Sequence, residues 1–599
     1  MRVWLAKPRA PWFLAGAVLL ALLPTVWSGL AIDDLAQRLV VEGKLGALAG
    51  RLDLFDVISR SPIQRARFEE LGIYPWWIGP HTQVSYWRPL AALTHFIDYS
   101  WWPRAAWLMH VENLAWYAAL VLVCAAMYRR FIAVPWVAGF ATAYYAFDHA
   151  HAYPAAWIAN RNALMSTFFG VVSLLAHDRW RTSRKHWFGL LALASFALAL
   201  LSAEAGLAIA GYTVAYAAFF EKSDPADSSR GARARVLSLV PYAILALAWR
   251  VAYRALGHGA VGSGANLDPL TDGGAFLAHS LQSGPLLLAS DIVGLPAEVL
   301  FTRQDWMAGA VVGAIVVLAL FAYATLPLLR TNRSTRFFVA GAILSASPFG
   351  GTFPSDRYLF WAGLGIMGVV AQLVGGVFGE RAGPANGVRF AVCCACIFLR
   401  GVVSPALFPL RTAGPGLVQD DFERMVETIP RGPDFAGQTV VILNAPLDLF
   451  ESCLPVIAIA EGEPTPAHMY MLYAGADPVT VTRTGVDTLE ERVEGGWFSR
   501  FADRLFRNTP LQAGDTVHLE AMSAQVQSLT KEGRPASVQF TFPTPIDDPS
   551  LLFLSWGRHG FERVTPPAPG SLLTVAPPPL LMADVLRPHI RERAMVDDR

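Results

Sequence analysis

The chain has 599 residues, of which 54% are hydrophobic and only 16% are charged, and its mean hydropathy is +0.38. This composition excludes an ordinary soluble globular protein and indicates an integral membrane protein. The formal net charge of +1 excludes a nucleic-acid partner, because no region carries the basic excess that phosphate backbones attract. The five cysteines lie mostly in apolar runs and imply no disulfide framework.

The N-terminus starts with basic residues and continues into an apolar stretch long enough to cross a bilayer. It resembles a signal peptide, but no small-x-small cleavage pattern precedes Asp33. We therefore expect an uncleaved first membrane span.

Further apolar runs of membrane-spanning length recur until about residue 409. They predict about eleven transmembrane helices, near residues 12–31, 105–127, 131–147, 162–177, 187–203, 206–220, 236–255, 306–328, 336–352, 358–378 and 389–409. Lysine and arginine concentrate in alternate connections, which places the N-terminus inside and, with an odd number of spans, the C-terminus outside. The predicted location is the inner (plasma) membrane.

Two long external loops follow from this topology. The first runs from Asp33 to about residue 104, and its tryptophans are predicted to lie at headgroup depth: Trp76, Trp77, Trp87, Trp101 and Trp102. The second covers about residues 256–305. Its apolar segment at 284–300 is short and interrupted, so we expect an interfacial or re-entrant segment.

After residue 411 the composition changes to short β-rich runs, separated by Gly, Pro and Asp turns. The runs are "QTVVILNA", "DTVHLEAM", "ASVQFTFP" and "LLFLSWG". The sequence therefore predicts a transmembrane domain of residues 1–411 and a β-rich domain of residues 412–599, which is periplasmic or extracellular. One helix is predicted within the second domain, at "GWFSRFADRLFR".

Asp33 and Asp34 close the first apolar run, at the helix end where the dipole disfavours anions. In a structural interpretation, one of these acids is the N-cap of the following helix, "LAQRLVVEG". In a functional interpretation, a carboxylate acts as general base, or binds a divalent cation, at the external membrane face.

Other ionisable groups at the membrane edge are candidates for function, because burying them is costly. Glu204 lies in a tight turn between two apolar runs, where it must pair, be protonated or cap a helix together with Ser202. Arg250, Arg254 and Arg357 break the charge rule at the outer face, which suits phosphate binding, although snorkelling to lipid headgroups explains each one singly. The His-x-His of "DHAHAY" leaves metal binding open beside ordinary hydrogen-bonded histidines.

In chain order, the stretches "YWRPLAALTHFIDY", "HVEN", "AAWIANRNALMSTFF", "LLSAEAGLAIAG" and "DRYLF" resemble the polytopic glycosyltransferases of the GT-C fold. They are most similar to relatives of the transmembrane tetratricopeptide-repeat O-mannosyltransferases, and the resemblance covers most of residues 1–378. The residues that match the motifs of that group are Asp33, Asp34, Arg88, His110, Asn113, Arg161 and Glu204. Two departures stand out: the His-Pro-x-His-x-Glu segment keeps only His151, and the repeats are absent.

The resemblance implies transfer of a hexosyl or pentosyl group from a polyprenyl-phosphate donor to a hydroxyl of a glycan, lipid or protein acceptor, with inversion. The short cytoplasmic loops favour the same donor, because they leave no room for a nucleotide-binding domain. Asp33 or Asp34 would be the base, and the predicted substrate-binding residues are Arg88, Asp98, His110, Asn113, His151, Arg161, Glu204, Arg254 and Arg357. The sequence identifies no definite cofactor, and a divalent cation, Mg²⁺ or Mn²⁺, stays open because no closed ligand set is found.

Two other functions compete with this one. A transporter or flippase of a lipid-linked or anionic solute would also place charged groups in the membrane, but no internal duplication is found. A scaffold that binds cell-wall glycan would explain the β-rich domain and not the polar external loops.

Overall fold

The computed structural model describes residues 1–45, 52–221, 228–297, 306–379, 386–446, 448–475, 477–499, 502–557 and 560–577. In the membrane part and the first loop the helices α1 to α11 are Arg2–Leu5, Ala10–Leu22, Asp33–Glu42, Pro62–Glu70, Pro89–Trp101, Ala106–Phe131, Pro135–Ala146, His149–Ala156, Arg161–Ser183, His186–Ser202 and Ile209–Phe219. Helices α12 to α20 are Ser228–Ala255, Gly273–Val293, Met307–Thr331, Arg333–Ala346, Leu359–Phe378, Gly387–Phe398, Ser404–Thr412, Gly414–Thr428 and Asp448–Glu461.

The strands fall into three sheets. A small sheet β1–β2–β3 (Asp56–Ile58, Gln83–Ser85, Gly259–Val261) joins the two long external loops. The C-terminal strands β4 to β13 are Thr439–Ile442, His468–Met471, Val479–Arg483, Thr488–Val493, Thr516–His518, Ser523–Leu529, Pro535–Thr541, Leu551–Trp556, Phe561–Arg563 and Leu572–Val575.

Six helical segments within the described ranges are long and apolar enough to cross a membrane: Ala10–Trp27, Ala106–Phe131, Arg233–Ala255, Met307–Thr331, Asp356–Phe378 and Gly387–Thr428. The chain is therefore a multi-pass membrane protein. The other predicted spans also coincide with helices, namely α7, α9, α10, α11 and α15. The total of about eleven spans and their orientation stay predictions.

The expected interfacial segment near 284–300 begins as the second half of α13, which ends at Val293, and its residues 294–297 follow without regular structure. This helix is capped at its C-terminus by Gly294, whose φ of 73° is the left-handed conformation that terminates many helices. Leu286, Leu287, Ala289 and Ile292 are buried on its inner face. Residues 298–300 lie outside the described ranges, and the re-entrant character of the segment stays a prediction.

Helix α16 forms the centre of the membrane bundle, and its residues 359–374 are all buried. Close packing here depends on small residues, as is common between membrane helices. A Cβ on Gly365 would lie 2.3 Å from the carbonyl oxygen of Phe338, and one on Gly341 would lie 2.2 Å from the ring of Tyr212. Both positions therefore require glycine.

The C-terminal region is β-rich, as predicted, and each of the four quoted runs contains a strand. One sheet has six strands in the order β13–β6–β7–β10–β9–β8, and the other has four in the order β12–β11–β4–β5. The second sheet is partly parallel, because α20 crosses over between β4 and β5.

The helix predicted at "GWFSRFADRLFR" is wrong: the described part of this stretch holds only a short 3-10 helix, Ala502–Arg504. Gly496 and Phe498 have φ values of 72° and 61°, which no α-helix accommodates. Between them, the buried Trp497 donates to the carbonyl oxygen of Leu472 at 3.0 Å, so tertiary packing overrides the helical pattern.

The first long loop, which the sequence predicts to be external, and the C-terminal domain share one hydrophobic core. Trp76 and Trp77 are 2% and 1% exposed within it, and Trp76 Nε1 donates to the carbonyl oxygen of Leu472 at 3.1 Å. The prediction of headgroup depth is therefore wrong for these two residues, because the domain offers them a protein interior. Trp101, by contrast, is 73% exposed.

Candidate functional site

A cavity of about 480 Å³ lies where the first external loop, the turn after α10, helix α12 and the segment before α16 meet. Its charged and polar lining includes Asp33, Gln37, Tyr86, Arg88, Glu204, Arg250, Asp268, Arg357 and Tyr358. Its aromatic lining includes Phe55, Trp157, Trp249, Tyr253, Phe276 and Phe349. This mixture of apolar walls and convergent charges is typical of a small-molecule site.

Asp33 is the first residue of α3, and its side chain is exposed into the cavity. Although solvent reaches the carboxylate there, protein surrounds the cavity, and this burial raises the pKa of Asp33 above its ordinary value. The positive charges of Arg357 and Arg88 partly offset that rise. The arrangement yields an ionisable acid whose charge responds to its arginine neighbours.

Asp34 points the other way and is 1% exposed. Its carboxylate accepts hydrogen bonds from the backbone N–H of Ala159 at 2.6 Å and of Ala31 at 2.9 Å. Burial raises the pKa of Asp34 to about 8, although both hydrogen bonds oppose this shift. Neither acid is the N-cap of α3, because that position belongs to Ile32.

Several sequence-predicted residues meet in a buried cluster behind the cavity, away from its lining. The Arg161 side chain is fully buried, and its Nη1 lies 2.6 Å from Asp98 and 2.9 Å from Glu112. Its Nε donates to Asn113 Oδ1 at 2.7 Å. Arg161 therefore has carboxylate and amide partners within the protein.

The same cluster reaches the turn before α3. Asn113 Nδ2 donates to the carbonyl oxygen of Trp157 at 3.0 Å. The indole Nε1 of Trp157 donates to the carbonyl oxygen of Ala31 at 3.3 Å. His110 Nε2 donates to the carbonyl oxygen of Gly29 at 2.8 Å. We call the set Asp34, Asp98, His110, Asn113, Trp157 and Arg161 the buried clamp, since it fixes the chain that carries Asp33. Trp157 also lines the cavity, whereas the other five residues are buried behind it.

Arg88 lines the cavity together with Glu204. Arg88 directly precedes Pro89, which starts α5 and keeps the residue before it out of the helical conformation. Its Nε donates to Glu204 Oε2 at 2.8 Å, and its guanidinium lies 4.5 Å from the ring centre of Tyr86. Glu204 begins a 3-10 helix after the extended Ala203, so it faces the cavity and pairs with Arg88.

Arg357 is the middle residue of the 3-10 helix Asp356–Tyr358, which directly precedes α16. Its guanidinium is 5.2 Å from the ring centre of Tyr358 and 5.6 Å from that of Phe353. Planar arginine groups stack on aromatic faces in this way while their edges remain oriented for a planar or tetrahedral anion.

The two arginines of α12 differ in their placement. Arg250 lines the cavity and pairs with Asp268, whereas Arg254 pairs with Asp268 at 3.2 Å, is 47% exposed in its side chain and does not line the cavity. The sequence pointed to Arg250 beside Arg254, but neither Arg250 nor Asp268 was among the predicted substrate-binding residues. Arg250 breaks the charge rule just as Arg254 does, and its position one turn earlier was the available signal.

His151 lies in the bundle core. Its Nδ1 hydrogen bonds to the carbonyl oxygen of Tyr145 at 3.0 Å, and its ring stacks on Phe360 with centroids 4.3 Å apart. His149 instead bonds to the carbonyl oxygen of Gly294 at 2.8 Å. The two imidazoles of the His-x-His pattern therefore have separate partners, as ordinary hydrogen-bonded histidines do.

Sequence analysis also missed a charged pair inside the bundle, where Arg400 Nη1 lies 2.7 Å from Asp148, both fully buried. The signal was an arginine within an apolar run. Neither residue lines the cavity.

Among the described residues, the cavity lining contains no group of three His, Cys, Asp or Glu side chains close enough to share a metal ion. Within the described part of the chain, the three-residue group whose ligand atoms lie within 4.8 Å of one another is Glu70, His468 and Glu520. None of these lines the cavity. Two of the three acids of the cavity lining, Glu204 and Asp268, pair with arginines.

No protein-family model and no curated protein matches the chain. Among solved structures, the crystal structure of ArnT from Cupriavidus metallidurans bound to undecaprenyl phosphate is similar, with 12% sequence identity, a TM-score of 0.33, and coverage of 77% of this chain and 89% of that one. At this identity and TM-score, the match says nothing about the residues of the cavity.

Proposed function

We propose that the chain is a membrane glycosyltransferase of the GT-C type, which moves a sugar from a polyprenyl-phosphate donor to an acceptor hydroxyl at the external membrane face, with inversion. The observation that carries the proposal is Asp33, an acid exposed into a cavity beyond the first span and under the influence of Arg88 and Arg357. Transfer from a glycosyl phosphate needs a base for the acceptor and cations for the leaving group.

The position of the cavity supports a lipid-linked donor. Helix α12 contributes Trp249 and Tyr253 to the cavity wall, while its Ile244, Leu247 and Val251 are more than half exposed on the outside. In a membrane protein such an apolar outer face contacts lipid. A donor that carries its own lipid therefore needs to pass only one helix to reach Asp33.

The chemistry is a single displacement. Asp33 takes the proton of the acceptor hydroxyl, and that oxygen attacks the anomeric carbon from the face opposite the phosphate. The bond between the anomeric carbon and the phosphate oxygen breaks, and the lipid phosphate leaves with the electron pair. Arg357 and Arg88 stabilise its charge, and the proton on Asp33 passes to water.

The sequence-predicted residues then divide into two roles. Asp33, Arg88, Glu204 and Arg357 act in the cavity, with Glu204 holding Arg88 until a phosphate arrives. The buried clamp keeps the backbone of Asp33 in place, so that Arg161 is a positioning residue. Arg254 and His151 have no role in the transfer.

A direct test is to incubate the purified protein, in lipid nanodiscs, with a panel of polyprenyl-phosphate sugars and to measure lipid-phosphate release. The wild type is expected to release lipid phosphate from at least one donor. Asp33→Asn should lose this activity, whereas Asp434→Asn, which removes an exposed acid of the C-terminal domain, should keep it.

Release from none of the donors would overturn the proposal. The transporter or flippase interpretation would then be tested on the same preparation, by following the movement of the fluorescent lipid-linked sugars across vesicle membranes.

A further inference from the structure

The turn before Asp33 holds an unusual backbone conformation. Ile32 has φ 47° and ψ −104°. For a β-branched residue this conformation is a genuine outlier, because its Cβ crowds the backbone. Such a strained conformation persists only where surrounding contacts hold it.

The surrounding contacts come from two parts of the chain. The buried clamp binds Gly29 and Ala31, as described above. The backbone N–H of Ile32 itself donates to Gln419 Oε1 at 2.9 Å. Gln419 lies on α19, 387 residues further along the chain, and it is 3% exposed.

The orientation of the Gln419 amide is fixed from its other end. Its Nε2 donates to Glu423 Oε1 at 2.8 Å, one helical turn along α19. The carboxylate can only accept, so the amide nitrogen faces Glu423 and the amide oxygen faces Ile32. The Gln419 Oε1 atom that accepts from Ile32 is therefore held in place, because the amide is not free to rotate.

We propose that Gln419 is a positioning residue for Asp33, which holds the strained turn at Ile32 so that the carboxylate faces the cavity. The proposal rests on the proposed function in one respect, that Asp33 is taken as the base. Through Gln419, the C-terminal domain becomes part of the device that sets the geometry of the reaction.

Helix α19 is well placed for this task, because it belongs to the domain. Its Phe422, Met425 and Val426 are buried in the core that the domain shares with the first external loop. The preceding helix α18 carries Arg411, which pairs with Asp356, the neighbour of Arg357. The connection between the membrane part and the domain therefore contacts Ile32, the neighbour of Asp33, and Asp356, the neighbour of Arg357.

The test uses four full-length variants in nanodiscs. Gln419→Ala removes the acceptor. In the exchange variant, Gln419→Glu is combined with Glu423→Gln. The side chain at position 419 still accepts from the N–H of Ile32, and the side chain at position 423 now donates to it instead of accepting. Gln419→Ala with Ile32→Gly removes the acceptor and also the strain, since glycine adopts positive φ without a Cβ clash. Gln438→Ala is the matched control, because it removes a glutamine bond to the backbone of Pro549 inside the domain.

Lipid-phosphate release is the first measurement. Gln419→Ala should lower kcat about tenfold with KM unchanged, which is the loss expected for one hydrogen bond. The exchange variant and the Ile32→Gly double variant should both return kcat to within about threefold of the wild type. The Gln438→Ala control should behave as the wild type does.

Recovery by Ile32→Gly separates positioning from a merely structural role. If Gln419→Ala acted by loosening the domain, glycine at position 32 would not restore kcat, and the melting temperature would fall in both variants. Either that result, or unchanged kcat in Gln419→Ala, would overturn the proposal.

Hydrogen exchange of the peptide that covers residues 29–36 gives a measurement without catalysis. The amide of Ile32 should exchange faster in Gln419→Ala and should regain protection in the exchange variant. If no donor is turned over by the wild type, the proposed function fails while this measurement still reports on the contact. If exchange is the same in wild type and Gln419→Ala, the positioning proposal fails by itself.

Discussion

At the scale of single residues, neighbouring acids have opposite surroundings. Successive helix positions point about 100° apart, so Asp33 faces the cavity while Asp34 faces the backbone N–H groups of Ala31 and Ala159. A base must reach its substrate, and a carboxylate enclosed by two amides does not. This difference supports the proposal that Asp33 is the base and that Asp34 holds the turn.

Asparagine substitutions should separate these two roles. Asp33→Asn is expected to lower lipid-phosphate release by about 10²–10⁴-fold without changing the melting temperature. Asp34→Asn should lower stability by about 1–3 kcal/mol, because an amide accepts through one oxygen only and leaves one backbone N–H unpaired. Thermal unfolding and turnover measured on the same samples check both, and equal stability losses would contradict the assignment.

Arg357 should set the pH dependence of the reaction. Its positive charge opposes the rise that burial causes in the pKa of Asp33, so Arg357→Gln should raise this pKa further. The base must be ionised, and the acidic limb of kcat/KM should therefore move to higher pH. Arg254→Gln changes an arginine outside the cavity, so the acidic limb of its kcat/KM profile should stay at the wild-type pH. A shift of equal size in this variant would refute the prediction.

At the scale of elements, strand β7 contains a costly residue. Leu489, Glu491 and Val493 alternate along its buried face. Glu491 is 0% exposed, and among the described residues neither carboxylate oxygen has a hydrogen-bond partner. Burial raises the pKa of Glu491 well above its ordinary value.

Glu491→Leu should therefore stabilise the protein, by more at high pH than at low pH. Below the ordinary pKa of the carboxyl, titration of Glu491 does not lower the free energy of unfolding of the wild type. Above it the free energy of unfolding falls by about 1.4 kcal/mol per pH unit until the folded-state pKa is reached. Melting temperatures of both proteins at about pH 5 and pH 8 measure the difference, with Glu490→Leu on the other face as control. A stability gain that is independent of pH would contradict the titration of Glu491.

At the scale of the whole molecule, the membrane part and the C-terminal domain are not independent units. The first external loop contributes Ile58, Phe68, Trp76 and Trp77 to the core of the domain. The loop by itself has no apolar interior in which such large side chains could be buried. It therefore depends on the domain for its core. The boundary near residue 411 thus separates two compositions but not two cores.

Truncation after residue 411 should therefore prevent proper folding rather than yield a compact membrane enzyme. We expect the truncated chain to aggregate on size-exclusion chromatography in mild detergent, because Trp76 and Trp77 become exposed. Removal of residues 578–599 is the control, since it deletes none of the described contacts. A monodisperse truncated protein would show that the loop folds without the domain.

The sequence by itself determined the class of the protein and most of its helices and C-terminal strands. Hydropathy reports directly on whether a segment can cross a bilayer, and alternation reports on a half-buried strand. It also singled out Asp33, Arg88, Glu204 and Arg357, because charges at a membrane edge are costly enough to be noticed.

Only the tertiary structure decided where those charges lie. Arg161 and Arg357 look alike in sequence, yet one is enclosed by Asp98 and Glu112 and the other lines the cavity. The surroundings of a side chain depend on contacts between residues far apart in the chain, such as Ile32 with Gln419 or Trp76 with Leu472. Local patterns measure the cost of burying a group, whereas its partner is chosen by the packing of the whole chain.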